Sequence, residues 1–173
     1  MAKSRFEVYT DGSYNKEKGE VYAAFVILDS GNPVMMCRIS TKDKRFSTQW
    51  NVGGELLAAA AGIVNALNYL KEARAEDSCD DTFITVYHDY VGVHYFILPP
   101  KPNKKPWKPK AKDGAGEYYK MMVDMVLEQS YPLKLKFEKV TSHTGDYWNE
   151  FADKIAGGFI TEYNGMEVIQ KTI

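Results

Sequence analysis

Apolar and polar positions alternate with period two over residues 5–11, and residues 21–29 and 33–41 carry two more strand-like runs. Ser30-Gly31-Asn32-Pro33 separates the second and third runs, which predicts a turn and makes the pair a hairpin. The period then changes. Over residues 52–74 the apolar side chains Val52, Leu56, Ala59, Ala60, Ile63, Leu67 and Leu70 recur at helical spacing and define a core-facing stripe. Residues 82–88 predict a fourth strand, followed by a short helix at 90–97. Residues 98–114 break the pattern with five prolines and six lysines. A helix resumes at 115–129, a fifth strand is expected at 133–140, and a last helix at about 147–160. A hairpin followed by strand–helix alternation implies an α/β fold: one five-stranded mixed sheet flanked by helices.

A length of 173 residues suits a single domain spanning 1–173, with a core at about 5–160 and a C-terminal extension at 161–173. In that extension Met166, Val168 and the residues after them are expected to add a small packed strand. Apolar content of 45% and charged content of 26% are ordinary for a globular protein. The longest apolar stretch, at 56–64, is too short to span a bilayer, and the N-terminus runs straight into a strand with no signal-peptide pattern. A cytoplasmic monomer with no membrane attachment is therefore expected. Cys37 and Cys79 make no metal-ligand or CxxC spacing and are expected to be reduced thiols.

Chemistry enters with four carboxylates. Asp11 and Asp89 each end an apolar strand, and the ends of strands are where ligand sites collect in open α/β sheets. Taken singly, Asp11 before Gly12 is also an ordinary turn residue and Asp89 an ordinary helix cap. Glu55 is harder to explain as solvated surface, because its helical neighbours are Ala59, Gly62, Ile63 and Ala66. Asp153 falls on the last helix, after a polar loop that carries His143, and Asp146 is placed to cap that helix. His88 points to the opposite sheet face from Asp89 and is expected to pack. Four acids in one pocket repel each other and resist desolvation, a conflict that divalent cations remove. Two Mg²⁺ ions about 4 Å apart are a standard arrangement for phosphodiester hydrolysis.

The set resembles ribonuclease H of type 1 over nearly the whole chain. Thr10-Asp11-Gly12-Ser13 fits the opening motif, Gly54-Glu55-Leu56 the second acid, and Tyr87-His88-Asp89-Tyr90 the third. Ser142-His143-Thr144-Gly145-Asp146, Asn149 and Asp153-Lys154-Ile155-Ala156 fit the histidine loop and the fourth acid. Finer similarity, in Asn51-Val52-Gly53-Gly54-Glu55 and Asp89-Tyr90-Val91-Gly92, is to bacterial catalytic domains often joined to an N-terminal hybrid-binding domain, which is not expected here. The sequence departs from the family pattern at Ser142, where glycine is usual, and in having the Pro/Lys segment in place of a basic helix.

The resemblance implies endonucleolytic cleavage of the RNA strand of RNA/DNA hybrids with two Mg²⁺ ions, Mn²⁺ being able to substitute. The products would be a 5′-phosphate and a 3′-hydroxyl. Asp11, Glu55, Asp89 and Asp153 would be the metal ligands and His143 a proton shuttle or product escort. Gly12, Ser13, Asn51 and Glu55 would read the 2′-hydroxyl, which alone distinguishes RNA from DNA at a given nucleotide. Lys101, Lys104, Lys105, Lys108, Lys110 and Lys112 would hold phosphates. A resolvase or an exonuclease on the same fold also uses clustered acids, but its acid order and surrounding motifs fit this chain less well. A non-catalytic hybrid- or RNA-binding module could keep the fold; loss of one of the acids would support it, and none is lost.

Overall fold

The computed structural model of the chain describes residues 5–47, 50–73, 83–90, 93, 134–141 and 146–173. Three antiparallel strands open it: β1 (Arg5–Asn15), β2 (Glu20–Asp29) and β3 (Asn32–Thr41). The β2–β3 turn is tighter than the four-residue turn expected. Ser30 and Gly31 both take positive φ (51° and 85°), the backbone of a two-residue hairpin turn whose twist matches its strands. A single helical turn, α1 (Lys44–Ser47), precedes the long helix α2 (Asn51–Ala73). Then come β4 (Phe83–His88), β5 (Lys134–Lys139) and α3 (Tyr147–Ala156). The tail forms a two-stranded hairpin, β6 (Glu162–Tyr163) with β7 (Met166–Glu167), and a strand β8 (Ile169–Thr172). The helices expected at 90–97 and 115–129, apart from Tyr90 and Val93, lie outside the described residues, as does the whole Pro/Lys segment.

The sheet has six strands in the order β5-β4-β1-β2-β3-β8, one more than expected. The addition is β8, which pairs parallel to β3 (Cys37↔Ile169 to Ser40↔Thr172). β4 and β5 run parallel beside β1, so the mixed character stands. Alternation divides the sheet faces. Phe6, Val8, Phe25, Ile27, Cys37, Ile84 and Val86 pack under α2 in the larger core. Tyr9, Ala24, Val26, Leu28 and Met36 pack under α3 and the tail residue Val168 in the smaller one.

Helix α2 is buried without interruption from Gly53 to Ile63, more of its circumference than one stripe provides. Two glycines let it lie against the sheet. A Cβ on Gly12 would stand 2.3 Å from the Glu55 backbone nitrogen, and one on Gly54 would stand 2.6 Å from the Tyr22 carbonyl oxygen. Helix α3 starts where expected: the Asp146 carboxylate accepts from the Asn149 amide at 3.0 Å. It stops at Ala156, short of the expected 160, because Gly157 caps it and Gly158 turns to φ +79°.

Candidate active site

The acids converge for reasons that the topology makes explicit. β1 and β4 are parallel in the register Tyr9↔Tyr87, so continuing two residues sets Asp11 beside Asp89. Adjacent strands lie about 4.8 Å apart, so two acids on one face at one level are close by construction. Thr10 ties the two strand ends together, its hydroxyl donating to the Tyr87 carbonyl at 3.0 Å. Glu55 arrives from α2, whose first turns touch the backbone of Gly12. Carboxylate oxygens of Asp11, Glu55 and Asp89 all lie within 4.8 Å of one another. Asp153, exposed on α3, comes from the opposite face and hydrogen-bonds to Asp11.

Burial and repulsion load this cluster. Asp11 is 5% and Glu55 6% exposed, values rare for acids without a counter-charge. Burial, first, pushes the Asp11 carboxyl up to about 8; the bond to Asp153 and the charges of Asp89 and Asp153 add to it, while a bond from Glu55 opposes it. Glu55 is raised well above the carboxylate range by burial and then by the charges of Asp11 and Asp89. Without cations Asp11 and Glu55 therefore favour their protonated forms. Glu55 Oε2 is buried with no hydrogen-bond partner among the described residues. A buried carboxylate oxygen without a partner, on an acid clustered with two others, is what a hard divalent cation would satisfy, so the donor set fits Mg²⁺ or Mn²⁺.

Around the trio, Gly12 and Ser13 continue β1, and Asn51 is exposed at the first position of α2. Gly12 has a structural role too, since only a residue without a side chain admits α2 so close. His143, Lys104, Lys105 and Lys108 lie outside the described residues. His88 is buried on the α2 face, as expected, and its Nδ1 donates to the Tyr90 carbonyl at 2.9 Å.

Two features of the site were not anticipated. Trp50, just before Asn51, is 65% exposed and takes φ +54°, unusual for a bulky residue. Arg38 holds the end of α3, its Nε donating to the Ala156 carbonyl at 3.0 Å. The pair Gly53-Gly54 within a helix start was the available sequence signal for a close approach. Arg38 had none, because its partner is 118 residues away.

A profile of the RNase H family matches residues 3–160. The chain belongs to the RNase H family. Membership makes it a ribonuclease H, of a metal-dependent family that acts on RNA/DNA hybrids. A search of curated protein sequences gives no match. Among solved structures, the chain is similar to the N-terminal RNase H domain of a Mycobacterium tuberculosis protein, with TM-score 0.61, 15% identity, and coverage of 91% of this chain and 94% of that one. It is also similar to LC11-RNase H1, isolated from compost (TM-score 0.60, 21% identity, 92% and 96% covered). RNase H1 from the halophilic archaeon Halobacterium salinarum gives TM-score 0.56 at 16% identity, covering 90% of this chain and 96% of that one. At these identities the structures speak for the fold. The match of the family profile carries the membership.

Proposed function

We propose that this ribonuclease H cleaves the RNA strand internally and leaves a 5′-phosphate and a 3′-hydroxyl, using two divalent cations. The supporting observation is the buried trio Asp11, Glu55 and Asp89, with Asp153 against Asp11. When bound, two cations supply Lewis-acid polarisation of the scissile phosphate and a hydroxide-like nucleophile at neutral pH. All-oxygen donors favour Mg²⁺, with Mn²⁺ a competent substitute.

The chain's own residues divide the remaining work. Asp11, which meets Glu55, Asp89 and Asp153, would be the central ligand for the cations. Glu55 from α2, Asp89 from the end of β4 and Asp153 from α3 would supply the remaining ligands. Pre-positioned charge in a buried setting costs no reorganisation during reaction, which is where most of the acceleration in phosphoryl chemistry arises. Gly12, Ser13 and Asn51, beside the trio, read the 2′-hydroxyl; His143 moves the proton or escorts product; Lys104, Lys105 and Lys108 hold phosphates.

The test is cleavage of an end-labelled RNA/DNA hybrid, with duplex DNA and single strands in parallel. Internal cuts confined to the RNA strand, lost with Asp11→Asn or EDTA, are expected. Cuts in duplex DNA would favour a resolvase or an exonuclease instead. A folded protein that cuts nothing in Mg²⁺ or Mn²⁺ would leave only a binding module.

A further inference from the structure

The fourth acid sits where a helix is least able to hold one. Asp153 is in the last turn of α3, which ends at Ala156. A ten-residue helix is marginal without tertiary support, and its ends fray first. The C-terminal end also carries partial negative charge, so the helix itself opposes a carboxylate there. Asp11 and Asp89 are held by strand register, and Glu55 by backbone packing. Asp153 needs an anchor from outside its own helix.

Arg38 has the geometry of that anchor. It lies on the face of β3 that looks toward α3, and its Nε donates to the Ala156 carbonyl at 3.0 Å. Its guanidinium carbon stands 4.2 Å from the centre of the Tyr22 ring. The register Tyr22↔Ser40 and Ala24↔Arg38 makes the two residues diagonal neighbours on adjacent strands. The Tyr22 hydroxyl is fixed in turn, donating to Glu20 at 2.9 Å. Ring and carbonyl together leave the guanidinium one orientation, and its charge offsets the helix end.

The tail closes the other side. Gly157 N–H donates to the Asp153 carbonyl at 3.0 Å and Phe159 N–H to the Lys154 carbonyl at 2.9 Å. Tyr163 then packs edge-on against Trp148 and Phe151 of α3, with ring centres 5.6 and 5.2 Å away. Finally β8 places Gln170 opposite Arg38. Tyr163 and β8 lie beyond residues 3–160, which the family profile matches, so this part of the brace is additional to the matched core.

We infer that Arg38 is a positioning residue for divalent-cation binding, fixing the last turn of α3 and so holding Asp153 against Asp11. Asp153 acts here as the ion ligand of the function proposed above, and Arg38 itself touches neither ion nor substrate.

Calorimetric titration of the full chain with Mn²⁺, without nucleic acid, decides the matter. Arg38→Met keeps the packed stem but removes donor and charge, and is expected to weaken ion binding about 10-fold, as loss of an outer partner of a metal ligand does. Arg38→Lys, which keeps a cation but not the planar stack, falls between. At saturating hybrid, kcat of Arg38→Met recovers as Mg²⁺ is raised while KM for hybrid stays constant. In an Asp153→Asn background, Arg38→Met adds no further loss of ion affinity, since both act through one carboxylate. Wild-type ion affinity in Arg38→Met, whatever its melting temperature, would overturn the assignment; so would additive losses in the double variant. Because ion binding is read without substrate, failure of the cleavage assay would sink the ribonuclease reading separately.

Discussion

The protonation state of the metal-free cluster makes a prediction about stability. In the folded chain Asp11 holds its proton up to about pH 8, against 3.8 for the ordinary carboxyl. The folded state therefore binds one more proton than the unfolded state across that window. Stability must fall as pH rises through it, by about 1.4 kcal/mol per unit for one group. The sign is opposite to that of a salt-bridged aspartate. Between pH 5 and 7 the loss from Asp11 is about 3 kcal/mol, and Glu55 is displaced in the same direction. For a chain of this size each kcal/mol shifts the melting temperature by about 2–4 °C, so about 5–10 °C is expected. Thermal melts in EDTA from pH 5 to 8 measure it. Added Mg²⁺ should restore stability most at the alkaline end, where the carboxylates are ready to bind, and Asp11→Asn should flatten the EDTA profile. A profile in EDTA that is flat for the wild type, or equally steep for Asp11→Asn, would refute the reasoning.

Two smaller predictions concern the scaffold. Gly12→Ala places a methyl within 2.3 Å of the Glu55 nitrogen, backbone that cannot step aside. Displacing α2 should cost about 1–3 kcal/mol in denaturant unfolding and more than 10-fold in kcat, since misplacement of about 1 Å can cost 100-fold. Asp146→Ala removes the cap bond to Asn149 and should cost about 1 kcal/mol, with the far-ultraviolet helix signal reduced and hybrid KM unchanged.

Elements that bury one clear face were legible in the sequence. Helix α2 and strands β2 to β5 fall within a residue or two of the expected ranges, because each alternates or repeats against a core. The acids were legible because each stands at the end of such an element or on an apolar stripe. Features made by distant pairing were not. Strand β1 runs on to Asn15, past the expected 11, because its polar end pairs with β2 down to Asn15↔Glu20. A strand was expected after Val168, but as a packed one; β8 is exposed along its whole length, and its place in the sheet comes from the edge that β3 offers it. Backbone contact at Gly12 and Gly54, and the Arg38 bond to Ala156, depend on three-dimensional proximity that no local pattern encodes.

That exposed last strand has a second consequence. Without it, the long β3 would present its unpaired amides and carbonyls along the rim of the sheet, a template for pairing with another molecule. β8 occupies Cys37 to Ser40 of that rim, and the Ile173 amide donates back to the Ser40 carbonyl at 3.0 Å. What now faces solvent there is a four-residue strand carrying Lys171, short and charged as edges that resist intermolecular pairing are. The same tail that braces the fourth acid thereby protects the protein against aggregation.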